Sequence, residues 1–467
     1  MPSGMAAGWL WALGAAIALS SSLALMVLDA GAFRLHLGLL VVAGAGWAGA
    51  LGIVARLLPA RRALGGIMLV TVLLRLPMWL HAPARSDDIY RYLWDGRVQA
   101  AGLDPYAHPP DSPSLEPLRD AGWAHINHPS LPTISPPLAA LSFRLVAASP
   151  WPLRAWKLLC ALVDFSTVLM LWAWLRRRGS DPRYAIAWAW SPLVTWELGL
   201  DAHVDGLGAA LLVAGLLTWE GRQRWWAGML LGLSAATKLL AVLVLPSTRS
   251  GRAVAGFVVA VALVAWPLYS PSMSGSLGEY GRRWRANDGA FALLLGGAET
   301  LVEHTRFRAR TTLSNGRLAR MVSGRDRDEI YPDEVAGLAA RAVAGCLLLA
   351  VLVWCWRRAR TPASTARAVL GAFLLLTPTL HPWYGLWLAP LVALESVPSW
   401  AWVALLALLP LGHWPLGAYR LSLATGTPVW IDPIWTRVVE HGLPLGLLLL
   451  ATASAATQAA TQARKRR

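Results

Sequence analysis

Apolar stretches of roughly 17–25 residues, each long enough to cross a bilayer as a helix, recur along this chain from residue 8 to residue 453. Backbone inside lipid must satisfy its own N–H and C=O groups, so repeated stretches of this length fold as a bundle of transmembrane α-helices. The expected fold class is therefore an all-α polytopic membrane protein, one membrane domain over 1–467. Twelve spans are expected near 8–28, 34–58, 63–81, 155–175, 184–199, 206–219, 253–269, 335–356, 367–380, 384–397, 400–417 and 433–453. Two segments fit less well. Residues 134–149 either span or lie along the interface, and 225–246 read as a broken or re-entrant helix, of the kind that lines a cavity.

Composition bears on what such a bundle binds. The formal charge of +16 does not indicate nucleic acid. Its excess sits in short clusters beside the apolar runs: Arg61-Arg62, Arg176-Arg177-Arg178, Arg357-Arg358 and a basic tail within 456–467. With the N-terminus inside, all of these fall on the cytoplasmic side, as the positive-inside rule requires. Few basic residues precede the first apolar run, so it is expected to be a retained helix rather than a cleaved signal. The three cysteines lie inside apolar runs and read as packing residues, not disulfides or metal ligands. Many of the 27 tryptophans flank the runs, as interfacial anchors do.

This topology leaves two large loops outside, 82–133 and 271–334. The first opens with "RSDDIYRYLWDGRVQAAGLDPYAHPP". Ser86 is placed to cap a short helix starting at Asp87, with Asp87 and Asp88 in its first turn, where negative charge is favoured. Asp88, Tyr92, Asp95 and Gln99 then share one face, and Asp87 is expected to pair with Arg91, leaving Asp88 the freer carboxylate. The turn around Tyr106 and the proline-rich return containing His128 bring the chain back to the membrane. A carboxylate at the lipid–water boundary can act as a general base on a hydroxyl; the plain alternative is a solvated acidic cap.

Further polar residues stand at membrane depth, where they are costly and tend to be functional. "ELGLDAHVDG" carries Asp201, His203 and Asp205, which could bind a divalent metal, orient a base, bind sugar hydroxyls or form a structural knot. Lys238, alone among apolar residues, either snorkels or meets an anion. His381 and Tyr384, in "HPWYGLWLAP", could serve a phosphate and a sugar. Arg282 lies in the second loop, where ten Arg face nine Asp and Glu; its fork suits phosphate or a lipid headgroup.

Taken in order, "DDIYRYLWDG", "GLDPYAHPP", "INHPSLPTISPPLAAL", "SPLVTWELGLDAHVDG", "AATKLLAVLVLP" and "HPWYGLWLAP" resemble the GT-C superfamily of membrane glycosyltransferases. The similarity is to the branch of bacterial polyprenyl-phosphate-mannose-dependent mannosyltransferases, including those acting on phosphatidylinositol mannosides. The resemblance implies a catalytic aspartate in the first outside loop, Asp88 with Asp87 as fallback. It implies inverting transfer of a hexose, above all mannose, from a polyprenyl-phosphate donor to a glycolipid or glycan acceptor. It also implies a bacterial cytoplasmic membrane with the active site facing outward. Tyr92, Asp95, Tyr106, His128, Asp201, His203, Asp205 and Tyr384 become candidates for substrate binding, and Lys238, His381 and Arg282 for the donor phosphate. Members of the superfamily differ in using a divalent metal, so no metal ligand is assigned. A glycine-rich phosphate loop after a strand is missing from the sequence, which argues against a nucleotide-sugar donor. A polysaccharide ligase or polymerase with an undecaprenyl-diphosphate donor, or a lipid-linked sugar transporter, is the alternative.

Overall fold

The structure is a computed structural model that describes residues 3–29, 31–56, 63–273, 275–304, 311–312, 329–394, 399–424, 429 and 433–465. The pair Arg61-Arg62, the last two residues of the basic tail and most of 305–328 in the second loop lie outside the described residues. Among those described, seven helices are long and apolar enough to cross a membrane: Gly8–Leu28, Phe33–Val54, Pro152–Arg177, Gly251–Leu268, Pro332–Arg357, Trp400–Arg420 and Ile434–Ser454. The bent pair Pro192–Leu200 and Asp205–Glu220 makes an eighth if taken as one span. The protein is a helical, polytopic membrane protein.

Five of the twelve expected spans differ from expectation, among them 206–219, which is the 16-residue Asp205–Glu220 and counts as a span only with its bent partner. Leu64–Leu80 and Pro362–Leu376 are apolar helices of 17 and 15 residues, short for a bilayer. The expected 184–199 helix is a relay of pieces, Ile186–Ala189, Pro192–Val194 and a π-helical Thr195–Leu200. The expected 384–397 helix is a 3-10 turn, Pro382–Trp387, followed by Ala389–Val392. Proline explains both interruptions: Pro192, Pro382 and Pro390 each stand at the start of a new helical piece, where the missing N–H costs least. The other two uncertain segments are also short or broken. Pro137–Ala147 has 11 residues, about 16 Å of helix, too short to span. Arg224–Thr237 ends at Lys238, whose backbone is extended, before two 3-10 turns.

The chain divides into two compact units. The first comprises Met1–Leu80, Leu171–Trp196 and His381–Arg467. Side chains brace its broken segment, whose carbonyls also accept backbone N–H groups. The Trp47 indole donates to Ile186 O at 3.0 Å, and the buried Arg75 donates to Trp188 O at 3.4 Å and to Thr195 Oγ1 at 2.6 Å.

The second unit comprises His81–Met170 and Glu197–Leu380. Asp205–Glu220, Arg224–Thr237 and Gly251–Ala265 pack in series. Gly289–His304 and Pro332–Arg357 enclose a core of Phe291, Leu295, Val302, Ala336, Ala340 and Ala344. The second loop is thus partly helical, with Gly275–Arg283 preceding Gly289–His304. A two-residue antiparallel pairing of Thr311–Thr312 with Glu329–Ile330 follows. The first-loop helix, Asp88–Ala100, lies on Pro137–Ala147. A Cβ on Gly96 would stand 2.3 Å from Phe143 O, so only glycine permits this approach.

Candidate active site

The first-loop helix is defined at both ends. Ser86 Oγ accepts from Asp88 N at 3.3 Å. Asp87 occupies the N-cap position without a capping side-chain bond, so the helix begins one residue later than expected. At the other end Gly102 takes a left-handed φ of 76°. Leu103 N donates to Val98 O and Gly102 N to Gln99 O, the paired bonds of a Schellman stop. Asp104 Oδ1 then accepts Tyr106 N at 2.8 Å, which sets the turn, and Thr133 N donates to Pro105 O at 3.1 Å, tying the returning chain to it.

Within this helix the expected Asp87–Arg91 pair is replaced by another. Arg91 Nε binds Asp95 Oδ1 at 2.9 Å and its Nη2 binds Leu131 O. Asp87 precedes the first helical turn, out of register for an i,i+4 contact, whereas Asp95 lies inside the helix at 1% exposure, where an unpaired charge is costly. Burial raises the carboxyl pKa of Asp95, opposed by Arg91 and by a hydrogen bond with Thr133. The polar face is therefore divided: Tyr92, Asp95 and Gln99 are buried, while the Asp88 side chain is 28% exposed.

Asp88 sits against Tyr92, His203 and Asn127. Its Oδ2 lies 3.5 Å from Tyr92 OH and 3.5 Å from His203 Nδ1, and its Oδ1 lies 3.5 Å from Asn127 Nδ2. The Tyr92 ring stacks on Phe143 at 4.6 Å and meets Trp156 edge-on. Burial, then the charges of Asp88 and Asp205, hold its phenol pKa well above the usual range, so Tyr92 presents a proton to Asp88.

Behind Asp88 runs a buried charge network. His203 Nε2 stands 3.5 Å from Glu197 Oε2. Arg85 joins Glu197 at 2.7 Å to Asp201 at 3.1 Å. The other Asp201 oxygen accepts the backbone N–H groups of Ala84 and Arg85. Asp205 holds Lys238 Nζ at 2.7 Å. The turn that brings these residues together includes Ala202 at a left-handed φ of 55°, uncommon for a non-glycine residue; Trp156 Nε1 fixes it through Ala202 O at 2.7 Å.

Glu197, Asp201 and His203 bring one ligand atom each within 4.8 Å of one another, close enough to suggest a metal centre. The donor set does not fit a divalent ion in this arrangement. The Arg85 guanidinium lies on Glu197 Oε1 and Asp201 Oδ2, and Asp201 Oδ1 accepts two backbone N–H groups, so an ion here would share the carboxylates with a like charge.

Five of the expected residues, Asp88, Tyr92, Asp201, His203 and Asp205, are gathered here, with Lys238 paired to the last. Asp95 lies one helical turn on from Tyr92. Tyr106 spends its hydroxyl on Ser135 O at 2.8 Å. His128 packs edge-on against Trp284 at 4.9 Å. Arg282 is exposed and stands 3.7 Å from Glu279. His381 and Tyr384 belong to the first unit, where His381 stacks on Trp383 at 4.4 Å and meets Tyr384 edge-on. Arg85 and Asn127 join the site without having been expected there, although Arg85 stands two residues before Asp87 and Asn127 directly before His128.

A polytopic helical protein with a partly exposed carboxylate on a short helix outside its spans has the layout of a GT-C-type membrane glycosyltransferase. Family comparison agrees. The chain belongs to glycosyltransferase family 87, whose model matches residues 134–378. The model of the alpha-(1->6)-mannopyranosyltransferase N-terminal domain matches residues 2–253. Both matches include Glu197 to Lys238, and the second includes Asp88. No curated protein and no solved structure gives a significant match. The protein is a membrane glycosyltransferase.

Proposed function

We propose that this protein transfers mannose, with inversion, from a polyprenyl-phosphate donor to a lipid or glycan acceptor at the outer face of the bacterial cytoplasmic membrane. One observation carries the assignment of the base. In the acidic network Glu197, Asp201 and Asp205 are at most 1% exposed, whereas Asp88 is 28% exposed and stands at the helix end. A base must meet its substrate, and Asp88 is the acid of this group that can.

The acceptor hydroxyl gives its proton to the Asp88 carboxylate as its oxygen bonds to the anomeric carbon. The bond from that carbon to the phosphate oxygen breaks on the opposite side, and polyprenyl phosphate leaves with the electron pair. His203 and Tyr92 hold the carboxylate in place. Lys238, with 26% of its side chain exposed, is the cation assigned to the leaving phosphate, where positive charge stabilises what develops in the transition state. The mannose is supported by the family match, and the lipid donor by the resemblance of the loop motifs.

The test is transfer of labelled mannose from polyprenyl-phosphate mannose to a bacterial lipid extract by purified protein. Asp88→Asn should lower the rate by about 10²–10⁴, the usual contribution of a general base, with unchanged folding. Full activity in that variant would refute Asp88, and failure of wild type with this donor alone would refute mannose.

A further inference from the structure

The far end of the first-loop helix closes a separate cavity of about 230 Å³, lined by Gln99, Asp104, Tyr106, Arg144, Leu268 and Tyr269 among others. Its polar groups are unevenly matched. Arg144 is exposed and, among the described residues, makes no hydrogen bond or ion pair. Gln99 is 4% exposed, and its Nε2 donates to Asp95 O at 3.0 Å and to Ala140 O at 2.9 Å. Both partners are carbonyls, which only accept, so the amide orientation is fixed. Gln99 Oε1 is then left without a donor among the described residues. Asp104 uses one carboxylate oxygen on Tyr106 N. The Gln99 oxygen is sealed from the cavity, which thus offers one cation and, beside it, the Asp104 carboxylate as an acceptor for hydroxyl donors.

Its surroundings are those of a membrane boundary. Tyr269 and Trp266, at the end of the Gly251–Leu268 span, are 80% and 85% exposed, and Leu103 is 39% exposed. Exposed aromatic residues at a span terminus are the mark of the interface, and the charge rule assigns this end to the outside. Gln99 follows Asp88 by eleven residues of one helix, about 16 Å, too far for an occupant of the cavity to be the reacting hydroxyl.

We propose that this cavity binds the headgroup of a resident anionic phospholipid, distinct from either substrate. Its phosphate lies on the Arg144 fork, its headgroup hydroxyls donate to the Asp104 carboxylate, and its acyl chains run along Trp266 and Tyr269. Phosphatidylglycerol has this chemistry, and phosphatidylcholine lacks both the net charge and the hydroxyls. The bound lipid would fix the helix that carries Asp88 at the membrane surface.

The experiment is native mass spectrometry of the full-length protein, with thermal unfolding midpoints, after reconstitution with phosphatidylglycerol or phosphatidylcholine. Wild type should retain phosphatidylglycerol and be stabilised by it. Arg144→Ala should weaken that binding by roughly tenfold, the equivalent of one charge-assisted hydrogen bond. Arg144→Lys, which keeps the charge and loses the fork, should fall between. Asp88→Asn should bind lipid as wild type does, which separates this proposal from the assignment of the base. Equal retention of both lipids by wild type, or undiminished phosphatidylglycerol binding in Arg144→Ala, would overturn it. So would glycerol 3-phosphate binding as tightly as the lipid, which would mark a site for a free phosphate.

Discussion

Arg85→Met removes the guanidinium that lies on the buried carboxylates of Glu197 and Asp201, and its consequences can be worked from the distances. At 2.7 Å from Glu197 and 3.1 Å from Asp201, each attraction is about 5–6 kcal/mol at an effective dielectric constant of 20. Release of Arg85 from its own desolvation offsets part of this. What remains is the usual cost of breaking a buried ion pair from one side, about 3–5 kcal/mol. The variant should therefore unfold at much lower temperature or denaturant concentration, and adding Glu197→Gln and Asp201→Asn to it should recover most of the loss. A second consequence follows from the same geometry. With the guanidinium gone, Glu197, Asp201 and His203 become a vacant three-ligand set, so Mn²⁺ or Zn²⁺ should stabilise Arg85→Met and leave wild type unmoved. Unfolding midpoints with metal and with chelator decide the matter. If chelator lowers the wild-type midpoint as much as the variant's, a metal shares the site with Arg85 and the reasoning fails.

Three further perturbations have defined outcomes. His203→Gln should lower kcat by about tenfold and shift the pH–rate profile with little change in KM, because it acts through Asp88; a change confined to stability would make His203 structural only. Gly96→Ala must push the first-loop helix off Phe143 O, which a Cβ would approach to 2.3 Å. It should cost about 1–3 kcal/mol, read as a lower unfolding midpoint together with lost activity. His128 has its imidazole pKa lowered by burial, then by Arg91, against the opposing charge of Asp88. The unfolded chain then binds the proton more readily than the folded one, so this group's contribution is present above about pH 6.5 and is lost as pH falls from there towards the folded-state pKa. His128→Gln should flatten that fall in thermal unfolding measured on either side of the window.

The helical bundle was legible because span length obeys the bilayer. The interrupted helices were less so, since apolar content is the same in a straight span and in 186–200, where Pro192 restarts the backbone and Arg75 and Trp47 brace it. The first-loop helix could be read from Ser86, the acids and Gly102, all of which act within a few residues. The choice of partner for Arg91 could not, because Asp87 and Asp95 stand at equal sequence distance and burial decides between them. The same limit explains Arg85. In sequence it is one more basic residue beside an apolar run, and only the chain reversal at Ala202 brings Glu197 and Asp201 to it. Once there, it changes the meaning of the acidic motif. Three residues that suggest a metal centre by type become a compensated support behind Asp88, and the chemistry assigned to this site then rests on the acid that burial left partly open.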